Sequence, residues 1–209
     1  MSFRLPKIYP ITDSQLSGLA HLEQVKRLAA GGARFIQLRD KAAAPRDFYS
    51  EAIGTLEFAR ANNIKIVIND RADIALAVRA DGVHVGQDDM PPEKVRGLLG
   101  RQALIGFSTH SVDQAVMAAE LPVDYVAIGP IFPTTTKGDA DPVVGLDGLR
   151  KVRTAIGSLP LVAIGGIKEE NIGQVFDAGA DSAAIISALL FEPDRITERL
   201  SRLVARFGM

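Results

Sequence analysis

The sequence contains no cysteine, almost no net charge and no long apolar run, and each absence excludes a class of protein. Without cysteine the chain can form neither a disulfide nor a thiolate metal site, which is compatible with a reducing cytosol. The 24 basic and 25 acidic residues leave a formal charge of -1, so no global field attracts nucleic acid or an anionic membrane. No apolar stretch approaches membrane-spanning length, and the first residues, MSFRLPKIYPITD, lack the apolar segment of a signal peptide. We therefore expect a soluble cytoplasmic protein that holds any anionic ligand with local groups.

Short apolar runs of strand type alternate along the chain with segments of helical spacing. The strand-type runs are KIYPIT, ARFIQL, KIVIN, GVHVG, ALIGFS, DYVAIG, PLVAIGG and SAAIIS. Strict alternation predicts parallel strands joined by helices, and eight such units favour a closed (β/α)₈ barrel over an open doubly wound sheet. At about 26 residues per unit, residues 1–209 are predicted to form one compact barrel domain.

The residues at and just after the ends of the predicted strands are mostly polar or glycine in seven of the eight units. They are QLRDK (37–41), ND (69–70), GQDD (86–89), STH (108–110), PTTTK (133–137), GG (165–166) and IS (186–187). Active sites of such barrels lie at the carboxyl ends of the strands, so we expect these groups to share one rim. Helix capping is the alternative for single positions such as Asp70 and Ser108, because Ser, Thr, Asp and Asn are common N-caps.

Charge divides the rim residues into two kinds. Asp70 and Asp89 follow neighbouring strands, and their oxygens suit Mg²⁺, which commonly binds substrate phosphates as well. Arg39, Lys41 and Lys137 bring positive charge to the same rim. A diphosphate bound to Mg²⁺ needs both kinds of partner, so the rim predicts such a ligand.

A second anion site is predicted after strands 7 and 8. Gly165 and Gly166 allow close approach to the backbone, and the N–H groups near Ile186 and Ser187 could join them in holding a monophosphate. Hydroxyl donors could come from Thr134, Thr135 and Thr136. A tight turn is the alternative explanation for the two glycines.

The three histidines do not suggest a catalytic series. His21 opens the first predicted helix and is expected at the surface, whereas His84 lies inside strand 4 and is expected to be a satisfied core residue. His110 lies at the rim, where it could contact a ligand or help to start a helix. Because no nucleophile and base accompany these residues, triad hydrolysis is disfavoured.

With these rim motifs the sequence closely resembles the thiamine-phosphate synthase family, also called thiamine phosphate pyrophosphorylase. The likeness extends from YPITD through QLRDK, INDRADIALAVRADGVHVGQDDMP, IGFSTH, GPIFPTTTKGDADP and VAIGGI to AIISAL. It implies a (β/α)₈ transferase that joins 4-amino-2-methyl-5-hydroxymethylpyrimidine diphosphate to a thiazole phosphate, giving thiamine monophosphate and diphosphate. It also implies a dissociative, Mg²⁺-assisted loss of diphosphate and attack by the thiazole nitrogen.

The resemblance also implies a role for each matching position. The magnesium ligands are Asp70 and Asp89, and the catalytic residues are Arg39, Lys41, Ser108 and Lys137. Binding of the pyrimidine diphosphate is implied for Gln37, Leu38, Arg39, Asp40, Lys41, Asn69, Ser108 and Lys137, and binding of the thiazole phosphate for Thr134, Thr135, Thr136, Gly166, Ile186 and Ser187. Two positions depart from the family pattern, Phe107 and Gly138. Phe107 could reshape the pyrimidine pocket, and Gly138 could soften the loop or reduce charge there.

Two other functions remain open on the sequence alone. A thiazole tautomerase, which is an isomerase, would share the barrel and the thiazole phosphate site but would not need the metal and diphosphate groups. A non-catalytic phosphate-binding barrel would be free to lose the rim acids and cations. Whether the thiazole substrate carries an additional carboxylate, and whether the chain forms a homo-oligomer, also stay open.

Overall fold

The computed structural model describes residues 4–134 and 142–208, and each predicted strand segment contains a strand. The strands are β1 (Ile8–Pro10), β2 (Phe35–Leu38), β3 (Lys65–Asn69), β4 (Gly82–Val85), β5 (Leu104–Thr109), β6 (Tyr125–Ile128), β7 (Leu161–Ile164) and β8 (Ser182–Ile185). All seven pairings between them are parallel, in the order β1-β8-β7-β6-β5-β4-β3-β2. The parallel sheet is therefore confirmed.

The two edges of the sheet meet just beyond β1. Ile11 forms a parallel bridge with Gln37 of β2, and the N–H of Thr12 donates to the carbonyl of Gln37 at 2.9 Å. On its other side, the N–H of Ile11 donates to the carbonyl of Ile185, at the end of β8. These bonds close the barrel, so the predicted (β/α)₈ fold is confirmed.

Helices follow the strands and cover the outside of the barrel. They are α1 (Ser14–Ser17), α2 (His21–Ala30), α3 (Pro45–Ala61), α4 (Ala72–Ala77), α5 (Pro92–Leu99), α6 (Val112–Ala118), α7 (Gly145–Ile156), α8 (Ile172–Asp177), α9 (Ser187–Leu190) and α10 (Ile196–Phe207), with a 3₁₀ helix at Pro193–Arg195. The short helices α1 and α9 were not predicted. Within residues 4–134 and 142–208, no helix has the length and apolar character needed to cross a membrane.

Side chains alternate along each strand between two apolar layers. In β3, Ile66 and Ile68 pack in the outer layer between strands and helices, while Val67 points into the barrel. In β5, Phe107 lies in the outer layer. The period of two turns the Phe107 side chain away from the barrel interior, so an effect on the pyrimidine pocket would have to pass through the packing of β5; that effect stays a prediction.

Polar residues occupy part of the barrel interior. Gly106 leaves space for them: a Cβ atom there would lie 2.1 Å from Cζ of Tyr125 and 2.4 Å from Nδ1 of His84. Both side chains are buried, and the two rings stack with centroids 5.5 Å apart. The interior beneath the carboxyl-end rim therefore contains hydrogen-bonding groups as well as hydrocarbon.

Candidate active site at the carboxyl ends of the strands

An acidic cluster lies beyond the adjacent strands β3 and β4. Asp70 directly follows β3, and its carboxylate pairs with the ammonium of Lys41 at 2.5 Å. Asp89 lies in the turn after β4 and accepts a hydrogen bond of 2.7 Å from the N–H of Gly86. Burial raises the pKa of Asp89, the bond from Gly86 lowers it, and the negative charge of Asp70 raises it again, with a net upward shift. The sequence prediction that these acids and Lys41 meet at one rim is consistent with this geometry.

The donor set of this cluster fits a hard divalent cation. Two carboxylates that raise each other's energy when both are charged gain from a shared positive ion. Among the residues that the structure describes, no group of three or more His, Asp or Glu side chains could hold a metal. Asp70 and Asp89 would thus supply two oxygen ligands, which suits Mg²⁺ because Mg²⁺ usually retains waters and substrate oxygens.

Helix capping does not account for Asp70 or Ser108. Helix α4 begins after Arg71, and no side chain forms a capping hydrogen bond there. Ser108 lies within β5, and the next helix is capped instead by Ser111, whose hydroxyl accepts from the N–H of Gln114 at 3.2 Å. Both Asp70 and Ser108 are therefore available for other contacts.

The stretch from Gln37 to Lys41 does not present all of its side chains to the rim. Gln37 points into the barrel, where its Nε2 donates to the hydroxyl of Tyr9 at 2.9 Å. Leu38 is fully buried in the outer layer, so any ligand contact would come from its backbone. The guanidinium of Arg39 is largely buried and pairs with the carboxylate of Asp13.

Asp40 points away from the acidic cluster. One carboxylate oxygen accepts from the N–H groups of Ala42 and Ala43, at 2.9 and 2.8 Å, and the other accepts from the hydroxyl of Ser14. Nε2 of His21 lies 3.3 Å from the same carboxylate. His21 is 1% exposed, so its predicted surface position is wrong; as the first residue of α2 it faces inward, where Asp40 and the hydroxyl of Thr12 contact its ring.

A pocket lies on the other side of the rim from the acidic cluster, beyond strands β5 to β8. Its lining includes four residues implied for thiazole phosphate binding together with the serine implied for the pyrimidine: Thr134, Gly166, Ile186, Ser187 and Ser108. The other predicted residues of this region, Thr135, Thr136 and Lys137, lie outside the described residues, as does Gly138. Asn69 ends β3, on the acidic side of the rim.

The two glycines after β7 are required by both conformation and space. Gly165 and Gly166 have φ of 99° and 63°, the left-handed region that side chains disfavour. A Cβ atom on Gly165 would lie 2.5 Å from Cβ of Pro130, and one on Gly166 would lie 2.6 Å from the carbonyl oxygen of Pro133. The backbone after β7 therefore packs directly against the segment after β6, and the pocket lies between them.

Several pocket residues were not singled out from the sequence. The apolar part of the lining comes from Pro130, Ile164, Ile167 and Ile185. The positions of these four residues near strand ends were the available signal, but isoleucine and proline at such positions carry no chemical signature. His110, which the sequence analysis placed at the rim, also lines the pocket, and its Nδ1 lies 2.9 Å from the carbonyl of Gly129.

The two halves of the rim are connected through Ser108. Nε2 of Gln87, in the turn that carries Asp89, donates to the carbonyl of Ser108 at 2.6 Å. The hydroxyl of Ser108 lies 2.8 Å from Nε2 of His84 in β4. His84 is buried with hydrogen bonds at both ring nitrogens, so the prediction that it is a satisfied core histidine is confirmed.

Fold and site together define a (β/α)₈ barrel with an acidic cluster beside a glycine-walled pocket after strands 7 and 8, where barrels of this kind commonly bind phosphate. The sequence model of the family described as thiamine monophosphate synthase matches residues 8–189. The chain therefore belongs to the thiamine monophosphate synthase family.

Individual relatives agree with this assignment. A thiamine-phosphate synthase of Koribacter versatilis is 47% identical over 195 residues, covering 91% of this chain and 92% of the relative. One from Chloroflexus aurantiacus is 44% identical over 189 residues, covering 90% and 87%. The solved structure of thiamine phosphate pyrophosphorylase from Pyrococcus furiosus is similar with a TM-score of 0.85 and 36% identity, covering 95% of this chain and 94% of that one.

Proposed function

We propose that this chain is a transferase of thiamine biosynthesis that condenses a pyrimidine diphosphate with a thiazole phosphate to form thiamine monophosphate and diphosphate. Membership of the thiamine monophosphate synthase family supports the reaction. The structural observation that carries the proposal is the pairing of the acidic cluster, Lys41, Asp70 and Asp89, with the pocket that begins at Ser108. A condensation of two phosphorylated substrates needs two anion sites; the pocket would supply one, and Lys41 with a cation held by Asp70 and Asp89 would supply the other.

The bond changes need little proton transfer. The carbon–oxygen bond between the pyrimidine methylene and diphosphate breaks, and its electron pair leaves on diphosphate. The electron-rich aminopyrimidine stabilises the remaining cation until the thiazole nitrogen forms the new carbon–nitrogen bond. That nitrogen has no hydrogen to lose, so the protein needs no strong base. Catalysis then rests on placing the two substrates together and stabilising the charge of the leaving group.

The residues of the acidic half would bind the leaving diphosphate. Mg²⁺ held by Asp70 and Asp89 would supply charge neutralisation for the diphosphate oxygens. Lys41 is 56% exposed at its side chain, so its ammonium can turn from Asp70 toward a ligand. Arg39 can keep its bond to Asp13 and still offer donors, because a guanidinium has five N–H groups. We assign Lys137 to the same diphosphate, Asn69 beside it, and Gln37, Leu38 and Asp40 to the surrounding binding segment.

The residues of the pocket would hold the thiazole phosphate. The backbone at Gly166 and the groups at Ile186 and Ser187 would bind its phosphate, with hydroxyls from Thr134, Thr135 and Thr136. Isoleucine side chains in the pocket suit the thiazole ring. We place the pyrimidine ring at Ser108, between the two halves. A cytoplasmic location and a homo-oligomeric state stay predictions.

A coupling assay tests the proposal. The purified chain is incubated with Mg²⁺, the pyrimidine diphosphate and the thiazole phosphate, with each omitted in turn, and the products are separated by chromatography. We expect thiamine monophosphate and diphosphate in equal amounts only when both substrates are present. Conversion of a thiazole isomer without coupling would favour a tautomerase, and binding of both ligands with no product would favour a non-catalytic barrel. A parallel reaction with the carboxylated thiazole identifies the preferred substrate.

A further inference from the structure

A continuous chain of buried hydrogen bonds crosses the barrel interior and ends at the pocket. Nε2 of Gln37 donates to the hydroxyl of Tyr9 at 2.9 Å, and that hydroxyl lies 2.9 Å from the hydroxyl of Tyr125. The Tyr125 hydroxyl lies 3.1 Å from Nδ1 of His84, whose Nε2 lies 2.8 Å from the hydroxyl of Ser108. Four of these five residues are buried, and Ser108 alone reaches the pocket.

The number of hydrogens on these side chains determines which group donates and which accepts in each of these hydrogen bonds. Burial raises the pKa of both Tyr9 and Tyr125, so each phenol keeps its single hydrogen. The Tyr9 oxygen already accepts from Gln37, so it donates its hydrogen to Tyr125. The hydrogen of Tyr125 is then donated to Nδ1 of His84, which must be the unprotonated nitrogen.

The same count of hydrogens determines the direction of the bond between His84 and Ser108. With Nδ1 as acceptor, the hydrogen of neutral His84 lies on Nε2, and Nε2–H donates to the oxygen of Ser108. The hydrogen of Ser108 is then directed to an acceptor other than His84. The opposite direction would leave the hydrogen of Tyr9 buried beside an amide NH₂ that cannot accept it.

We propose that the Gln37–Tyr9–Tyr125–His84 chain holds His84 as the Nε2–H tautomer and thereby makes Ser108 a hydrogen-bond donor to a ring nitrogen of the pyrimidine substrate. The ligand part of this proposal rests on the proposed function. An aminopyrimidine offers both acceptors, its ring nitrogens, and a donor, its amino group. A serine fixed as a donor selects the ring nitrogen and so orients the ring. Tyr125 and His84 are positioning residues, because they act through Ser108.

The tautomer can be measured without substrate. Histidine labelled with ¹⁵N is introduced into the full chain, and two-dimensional spectra at about pH 7.5, above the ordinary histidine pKa, show which ring nitrogen carries hydrogen. The His84 signals are assigned from their loss in His84→Gln. We expect hydrogen on Nε2 and a bare Nδ1. Hydrogen on Nδ1, or on both nitrogens, would overturn the proposal, and the first result would mean that the Gln37 amide presents its oxygen to Tyr9.

Removing one hydroxyl tests whether the chain sets the tautomer. Tyr125→Phe deletes the donor to Nδ1 while keeping the ring, so the His84 signals should move toward a mixture of tautomers. Tyr49→Phe deletes a hydroxyl from an exposed position in α3 and should leave the spectrum unchanged. A His84 spectrum in Tyr125→Phe that is identical to that of the unmodified chain would contradict the proposal.

Kinetics then connect the chain to the substrate. Tyr125→Phe should raise KM for the pyrimidine diphosphate by about tenfold, the scale of one hydrogen bond, and should leave KM for the thiazole phosphate unchanged. In Ser108→Ala the same tyrosine change should have little further effect, because its route to the ligand is lost. Equal effects on both substrates, or additive effects of the two changes, would contradict the positioning role. If the unmodified protein forms no thiamine monophosphate, the proposed function is overturned. The ¹⁵N spectrum would still decide the direction of the hydrogen bonds.

Discussion

Asp70 has a left-handed backbone conformation, with φ of 61°, at the point where β3 ends. Aspartate and asparagine tolerate this conformation better than other residues with a side chain. The N–H of Asp70 donates to the carbonyl of His84 at 2.7 Å, which ties the end of β3 to β4. The residue therefore combines a demanding backbone position with a carboxylate that faces Lys41 and Asp89.

This conformation predicts different stabilities for two substitutions at one position. Asp70→Asn should leave the free energy of unfolding nearly unchanged, whereas Asp70→Ala should lower it by about 1 kcal/mol, since alanine does not favour φ above zero. Urea denaturation of both variants measures the difference. Equal losses in the two variants would show that the carboxylate, and not the conformation, matters for stability.

The lowered pKa of Asp40 predicts that the free energy of unfolding depends on pH. Burial favours its neutral form, but the hydrogen bonds from Ser14, Ala43 and Ala42 and the nearby His21 lower the pKa of Asp40 below its ordinary value. A carboxylate with a lowered pKa stabilises the fold above the pKa of the unfolded chain, and this stabilisation is lost as the pH falls through the folded pKa. Asp40→Asn should therefore cost about 1 kcal/mol near neutral pH and less in acid.

Urea denaturation of the Asp40→Asn variant at about pH 7 and about pH 3, on either side of the ordinary aspartate pKa, checks this expectation. Asp88→Asn is the control, because Asp88 is an exposed carboxylate in the turn after β4. A difference between the unmodified chain and Asp40→Asn that stays constant across this range would exclude a titrating Asp40 as the cause.

At the residue scale, the sequence was enough to predict which charged residues share the rim, but not which side chains they pair with. Asp70, Asp89 and Lys41 could be placed together, because they follow neighbouring strands of one parallel sheet. The pairing of Arg39 with Asp13 and of Asp40 with Ser14 could not be predicted. These partners depend on how the loop after β1 folds over the loop after β2, and no periodic pattern records that contact.

At the element scale, the junction after β7 shapes the pocket. Gly166→Ala adds a Cβ atom 2.6 Å from the carbonyl oxygen of Pro133 and places alanine at φ of 63°. The clash falls on the segment that carries Thr134, so we expect the thiazole half of the site to be displaced. Strain of this kind costs about 1–2 kcal/mol, so KM for the thiazole phosphate should rise about tenfold.

The matched control for this change is Gly173→Ala in α8. A Cβ atom at Gly173 would have no heavy atom within 4 Å, so alanine should be neutral or stabilising there. Steady-state kinetics with each substrate varied in turn, together with melting temperatures, separate the two effects. A rise in KM for the pyrimidine diphosphate that equals the rise for the thiazole phosphate would contradict the assignment of this junction to the thiazole half.

The strands and long helices were predictable because their apolar periodicity extends over several residues. Helices α1 and α9 were not predicted, because four residues contain too little of a helical period to recognise. Asp13 does form an N-cap for α1, accepting from the N–H of Leu16 at 3.0 Å. A capping residue by itself, however, does not distinguish a short helix from a turn.

At the scale of the whole molecule, the closed barrel brings together residues that are far apart in the chain. The bridge from Ile11 to Gln37 closes the sheet, so the acids after β3 and β4 share a rim with the pocket after β7 and β8. The alternation of strands and helices predicted this closure. The polar chain inside the barrel was not predictable, because Tyr9 and Tyr125 are 116 residues apart and read as ordinary core aromatics. That residues 1–209 form one domain stays a prediction.

The measurement that bears most directly on the proposed reaction is the magnesium dependence of the unmodified chain, Asp70→Asn, Asp89→Asn and the double variant. Each single change should lower kcat/KM by about a hundredfold or more, since cation stabilisation of a leaving group is worth several kcal/mol. The loss of transition-state stabilisation in the double variant should be much smaller than the sum of the two single losses, because both carboxylates bind one ion. Calorimetric titration with Mg²⁺ and the pyrimidine diphosphate should show weakened binding in all three variants, and melting temperatures should confirm that they fold. Additive losses of kcat/KM with an unaltered magnesium requirement would contradict a shared cation site at Asp70 and Asp89.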